Sequence, residues 1–156
     1  MKLSQGVEWG MHCAVLLAVA DDRAPVPRDA LARHYGLSET NLAKHLQALA
    51  RSGVLQATPG PQGGYRLARP AQEITMLDVL EAVEGRARPF VCQEIRQRGV
   101  GALPAEKCTR PCAIHAMMDD ADEAWRASLR AVTVADMAAR LTPATRAHIR
   151  RELPHP

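Results

Sequence analysis

At 156 residues, 47% hydrophobic and 24% charged, the chain can build one domain plus an appendage, which excludes a wholly disordered protein. Its net charge of +3 is lopsided, because residues 1–70 hold 8 Lys and Arg against 5 Asp and Glu while residues 71–156 hold 12 of each. The N-terminal half is therefore the candidate face for a polyanionic partner, although so modest an excess, taken alone, equally describes a solvated surface.

The opening MKLSQGVEWGMHC carries one Lys and then Glu8 ahead of the apolar run Ala14–Ala20. That run is too short and too interrupted for a secretion signal or a membrane span, so a cytoplasmic protein with no membrane partner is expected. A first helix is predicted from about Leu3 to Asp21, with Val7, Met11, Val15, Leu16 and Val19 at helical spacing and Pro25 and Pro27 beyond its end. Cys13, alone inside this apolar run, reads as a small buried side chain. A short helix over Arg28–Tyr35 buries Leu31, Gly36 makes the turn, and Ser38 caps a second helix through Leu42, Leu46 and Leu49 to Ser52. Two short helices across a tight glycine turn make a helix-turn-helix.

After Gly53, the runs Val54–Thr58 and Gly64–Ala68 flank Pro59-Gly60-Pro61-Gln62-Gly63, a pattern that suits a two-stranded hairpin, the wing. A helix from Thr75 to Val83 follows, ended by Gly85. Between Arg86 and Arg110 the periodicity disappears, and this stretch and its edge hold Cys92, Cys108 and Cys112. From Pro111 a long amphipathic helix is predicted, with Ile114, Met117, Ala121, Trp125, Ser128 or Leu129, and Val132 in one stripe. Such a stripe calls for a partner, either a second copy of the chain or the chain's own domain, and a two-fold dimer matches a palindromic operator. The Arg-rich tail after Thr142, ending PHP, shows no readable chemistry.

The string LSETNLAKHLQALARSGVLQATPGPQGGYRLARP, then ITMLDVLEAVEG, a cysteine-bearing loop and a long helix, resembles the dimeric winged-helix transcription regulators that include IscR, NsrR and RirA, which bind DNA and carry iron-sulfur clusters. The resemblance runs from Met1 to about Leu141, with GGYRLARP and DVLEAVEG its more specific pieces. KLSQGVEWGMHC, FVCQEIRQRG and EKCTRPC are most similar to the branch of the redox regulator RsrR. Most members space three cysteines closely; here 15 residues separate Cys92 from Cys108 and 3 separate Cys108 from Cys112. In the RsrR-like branch the resemblance implies a 2Fe-2S cluster held by Cys92 and Cys112 of one subunit and Glu8 and His12 of the other, two clusters per dimer, with Cys108 a nearby non-ligand. The fold implied is mainly α with a small β-hairpin wing: a winged helix-turn-helix plus a long dimerisation helix. The expected division is a DNA-binding domain over 1–84, a cluster-binding loop over 85–112, a dimerisation helix region over 113–141 and a tail over 142–156.

The local chemistry agrees with this ligand set. Glu8 and His12 are spaced i, i+4 and share a helix face, an arrangement that on its own is more often a surface pair. Cys112 follows Pro111, so its sulfur belongs at a helix N-terminus, where the dipole and free N–H groups favour thiolate. Trp9 and Phe90 adjoin the proposed ligands and read by default as core anchors. Three alternatives stay open. A 4Fe-4S cluster could use Cys108 as a further ligand. A structural zinc site could use Cys92, Cys108, Cys112 and His115. A thiol oxidoreductase could use Cys108 and Cys112, although no thioredoxin-like alternation of strand and helix surrounds them. No enzymatic activity and no small-molecule substrate are expected.

For DNA, Ser38, Thr40, Asn41, Lys44 and His45 lie near the start of the second helix of the motif, the part that enters the major groove. Ser38 suits a cap and phosphate, Thr40 and Asn41 base edges, and Lys44 phosphate or guanine. Asn41 stands where many members of the family have Tyr. In the wing, Gln62 and Arg66 suit the minor groove or backbone, and Gly63 and Gly64 permit close approach. The partners expected are double-stranded DNA with a palindromic operator and a second copy of the chain, and the default action is repression.

Overall fold

The computed structural model describes residues 2–20 and 24–153, in two compact units: residues 87–128, and residues 2–86 with 129–153. The expected helix end at Asp21 and the terminal PHP lie outside the described residues.

In the larger unit, α1 (Gln5–Val19) is the central post. Val7, Cys13, Ala14, Leu16, Leu17 and Val19 are buried around most of its circumference, as expected of a helix enclosed by others. Burial without a partner pushes the Cys13 thiol up to about 12, so this cysteine is inert packing, as its setting in the sequence implied. Against α1 pack α3 (Glu39–Arg51), α4 (Met76–Glu84), α6 (Val134–Ala139) and α7 (Pro143–Glu152).

The helix-turn-helix forms where the sequence placed it. Helix α2 (Arg28–Tyr35) ends on Gly36, whose φ of 63° is the left-handed turn that glycine adopts without steric cost. Ser38 caps α3 by accepting the Asn41 N–H at 3.3 Å, and Leu42, Leu46 and Leu49 turn inward with no exposure. The wing pairs β1 (Leu55–Thr58) with β2 (Gly64–Leu67) antiparallel, Leu55 opposite Leu67 and Thr58 opposite Gly64. Val26 adds one residue to its edge by exchanging backbone hydrogen bonds with Tyr65 at 2.9 and 2.8 Å.

The motif GGYRLARP has a mechanical meaning here. A Cβ on Gly64 would fall 2.3 Å from the Val26 carbonyl oxygen, and one on Gly63 2.1 Å from that of Thr58. Both glycines therefore allow close approach within the chain's own backbone. Arg69 ties the wing's exit to α4, donating to the carbonyls of Gly53 and Glu73 and pairing with Asp78 at 3.2 Å. Asp78 also completes a capping box with Thr75 at the start of α4.

The smaller unit is a loop, residues 87–112, with two single 3-10 turns (Ile95–Gln97 and Ala105–Lys107), followed by most of α5 (Ala113–Arg130). Asp122 and Arg126, one turn apart, form a buried pair at 2.9 Å. Arg126 also donates to the Ala87 carbonyl, while Arg88 holds Asp119 at 2.5 Å, so charged side chains fasten the start of the loop to the helix.

Two expectations are corrected. Helix α5 stops at Arg130, and Val132 is not on its stripe: Thr133 and Asp136 form a second capping box that starts α6, while the Val132 carbonyl accepts the Met76 N–H at 2.8 Å. Leu129 and Val132 pack on the larger unit's core, whereas Ile114 and Met117 remain 62% and 55% exposed. The stretch after Thr142 holds a helix, α7, with Thr142 as cap, Pro143 in its first turn, and Ile149 and Leu153 buried.

Candidate functional site

Ser38, Thr40, Asn41 and Lys44 are exposed on the first turns of α3, opposite the buried Leu42, Leu46 and Leu49. Thr40 and Lys44 stand one turn apart on one face, with Asn41 beside them, so polar and cationic groups share the helix N-terminus, a favourable place for phosphate. An acidic residue lies among them that sequence reasoning did not single out. Glu39 accepts from Arg28 at 2.8 Å through Nε and lies 2.7 Å from its Nη2, so the carboxylate among these candidate residues is matched by a guanidinium at the start of α2. Nothing in the spacing of residues 28 and 39 announces that contact.

His45 has a different setting from its four companions. Its ring lies over Gly6 of α1, where a Cβ would fall 2.1 Å from His45 Cε1, and it meets Trp9 edge-on with centroids 5.7 Å apart. Burial, and next the Lys44 charge, hold its imidazole below the ordinary pKa, with Glu84 opposing. His45 joins α3 to the helix that carries Glu8 and His12. In the wing, Gln62 and Arg66 are exposed, and Arg66 is steadied by donating to Gln56 across the strands at 3.1 Å.

Glu8 and His12 are both exposed on α1, one turn apart as the spacing required. With Trp9, Tyr35 and Leu37 they line a pocket of about 160 Å³. The Tyr35 hydroxyl donates to the His12 carbonyl at 3.1 Å, and the two rings lie 5.4 Å apart, tilted by 59°, so α2 steadies this face of α1.

In the loop unit Cys92, Cys108 and Cys112 are all half-buried free thiols. Cys92 Sγ accepts the Glu94 N–H at 3.4 Å, and Cys112 Sγ accepts the His115 N–H at 3.3 Å. Cys112 thus occupies the capping place of α5, where sulfur faces unpaired N–H groups and the positive end of the helix dipole. Its carbonyl also accepts the Ala116 N–H at 3.0 Å, the first bond of the helix. His115 Nε2 is engaged by Asp119 at 3.0 Å, and its ring meets Phe90 edge-on at 6.2 Å.

Among the described residues no group of three or more His, Cys, Asp or Glu converges as a metal site. The Cys92, Cys108, Cys112 and His115 set is therefore not gathered into a zinc tetrahedron within one chain. Each pair of donors by itself has the chemistry of an iron ligand set: Cys92 and Cys112 are partly shielded sulfurs that each receive a backbone N–H, and Glu8 and His12 are an exposed carboxylate and imidazole one turn apart on α1. No helix among the described residues is long and apolar enough to cross a membrane.

Comparison with known proteins bears on this arrangement. The model of the Rrf2 family, described as iron-dependent transcriptional regulators, matches residues 3–140. Protein aau3 of Rhizobium meliloti is 34% identical over 136 residues, covering 87% of this chain and 81% of that protein. Among solved structures, CymR (YrzC), the global cysteine regulator of B. subtilis, superposes with a TM-score of 0.72 at 22% identity, over 91% of this chain and 99% of its own. IscR of T. potens gives 0.66 at 23% identity, over 91% and 93%.

Proposed function

The chain belongs to the Rrf2 family of transcriptional regulators, and from that premise we propose that it is a homodimeric repressor whose hold on a palindromic operator is set by a 2Fe-2S cluster shared between subunits. Cys92 and Cys112 of one subunit and Glu8 and His12 of the other supply the ligands, with Cys108 close by and unligated. The reading rests chiefly on Cys112, whose sulfur stands at the N-terminus of α5 and accepts the His115 N–H there, a backbone donor of the kind that supports a cluster ligand. A cluster that takes two donors from each subunit does not need more than two to converge in one chain.

When bound, the cluster supplies one-electron redox chemistry. The protein's part is to hold it and to transmit its state. Glu8 and His12 lie on α1, and α1 carries Gly6 and Trp9, on which His45 of α3 rests. A change in how α1 is tethered is thereby passed to the recognition helix. Thr40, Asn41 and Lys44 of each subunit reach half-sites about 34 Å apart, and each good base contact discriminates by roughly 1–3 kcal/mol, so a small change in helix spacing alters occupancy.

The test is operator binding by oxidised, reduced and cluster-free protein at one fixed salt concentration. The proposal expects at least one form to differ from the others by tenfold or more, about 1.4 kcal/mol. Equal affinity for all three refutes it.

A further inference from the structure

One side chain holds the two ends of the cysteine loop together. Arg96, on the 3-10 turn Ile95–Gln97, grips the Glu94 carboxylate with both prongs of its fork, Nε to Oε1 at 2.6 Å and Nη2 to Oε2 at 2.8 Å. The same Nη2 donates to the carbonyl of Arg110 at 3.0 Å, two residues before Cys112. Arg96 also accepts the Leu103 N–H on its own carbonyl at 2.8 Å, closing the intervening loop. At the other end, Glu94 gives its N–H to Cys92. A continuous path therefore runs from the Cys92 sulfur through Glu94 and Arg96 to the backbone that delivers Cys112 to the start of α5.

Two further features show that this is a built contact. Glu94 has a φ of 47°, the one positive value outside glycine among the described residues, a costly conformation for a side-chain-bearing residue that persists only where the surrounding contacts hold it. Arg96 is only 26% exposed, and its guanidinium charge is reinforced first by Glu94 and then by the nearby Cys108 and Cys112 sulfurs.

We propose that Arg96 is the positioning residue of the thiolate site, clasping the Cys92 arm to the Cys112 arm and holding a fixed positive charge between the two arms. The inference rests on the reading that Cys92 and Cys112 ligate the cluster. Without Arg96, the Glu94 carboxylate loses its partner, and the arm it anchors is released. The charge matters separately from the clasp, because a cation near the sulfurs favours the extra electron of the reduced cluster.

The experiment uses the full chain, loaded anaerobically with iron and sulfide, as wild type, Arg96→Gln, Arg96→Lys and Arg98→Gln. Cluster loss to an iron chelator and the midpoint potential are both read. Arg96→Gln should lose its cluster about 10- to 100-fold faster, the usual effect of removing a group that orients metal ligands, and its potential should fall. Arg96→Lys, which keeps the charge without the fork, should recover the potential but not the rate. Arg98→Gln, on an exposed neighbour, should match wild type in both. Wild-type behaviour of Arg96→Gln in both readouts overturns the proposal, as does an equal effect from Arg98→Gln. If wild type takes up no cluster, the functional reading fails, and the clasp is tested on the cluster-free chain by amide exchange over residues 92–115. Arg96→Gln should then speed exchange at Leu103 and His115, and unchanged exchange there overturns it.

Discussion

Gly6→Ala, made alone and with His45→Ala, tests whether α1 and α3 are locked together. A methyl on residue 6 would lie 2.1, 2.4 and 2.7 Å from three atoms of the His45 ring, where contact between carbon atoms settles at about 3.5–4.0 Å. The ring must retreat by well over 1 Å, and it already stands edge-on to Trp9. Overpacking of this kind costs about 1–3 kcal/mol, offset by about 1 kcal/mol gained when Ala replaces Gly inside a helix. In the native background Gly6→Ala should therefore range from nearly neutral to about 2 kcal/mol destabilising. With His45→Ala the clash disappears and the helix gain stands alone, so the same change should stabilise by about 1 kcal/mol. The coupling is then about 1–3 kcal/mol, well beyond the roughly 0.3–0.5 kcal/mol within which independent sites add. Equilibrium urea unfolding of the four reduced, metal-free proteins measures it. If Gly6→Ala shifts stability equally in both backgrounds, the contact is not the lock described.

Stability should fall as pH drops below about 6.5, because burial holds the His34 and His45 imidazoles below that ordinary value and the unfolded chain takes up protons first. Their contribution is present above 6.5 and lost as pH falls through the folded-state values; urea midpoints from pH 7.5 to 5.5 should flatten in His34→Gln with His45→Gln. Cys108→Ala should keep the visible absorption of the anaerobic protein while Cys92→Ala loses it; loss of the cluster from Cys108→Ala contradicts the ligand set. Glu8→Ala with His12→Ala in one chain and Cys92→Ala with Cys112→Ala in another should each be colourless alone, and mixing them should restore one of the two shared sites, an outcome that ligands drawn from a single chain cannot give. Lys44→Ala should weaken operator binding and reduce the salt slope by about 1, the signature of one lost phosphate contact; an unchanged slope with relaxed sequence preference assigns Lys44 to a base instead.

The winged helix was legible because its signals are local. Gly36 and Ser38 marked the turn and cap of the helix-turn-helix, and the Pro-Gly tip separated the wing's strands, so α2 and both strands formed within a residue of expectation. Cys112 was legible for the same reason, since Pro111 announces a helix start. The break between α5 and α6 was missed because Trp125, Leu129 and Val132 keep helical spacing across it, although Thr133 and Asp136 carried a capping-box signal. Thr142-Pro143 and the Ile149, Leu153 pair carried a signal for α7 in the same way, masked by the arginines around them.

What could not be read was contact across sequence distance. Gly6 under His45, Arg28 with Glu39, and Gly64 against Val26 involve residues with no spacing rule between them. The buried Asp122–Arg126 pair does have i, i+4 spacing, yet on an isolated helix that reads as a surface pair, and only the folded-back loop encloses it. His45 lies on the helix expected to meet DNA and also packs on Gly6 and Trp9 of α1, a contact that no spacing rule announces.

The central claim is an iron-sulfur cluster bridging two copies of the chain. Native mass spectrometry of protein purified without oxygen, with iron and acid-labile sulfide counted on the same sample, tests it most directly. The expected species is a dimer carrying four iron and four sulfide, two of each per chain, that loses its colour in Glu8→Ala and in Cys92→Ala alike. A colourless species without sulfide, or a fully loaded monomer, contradicts it.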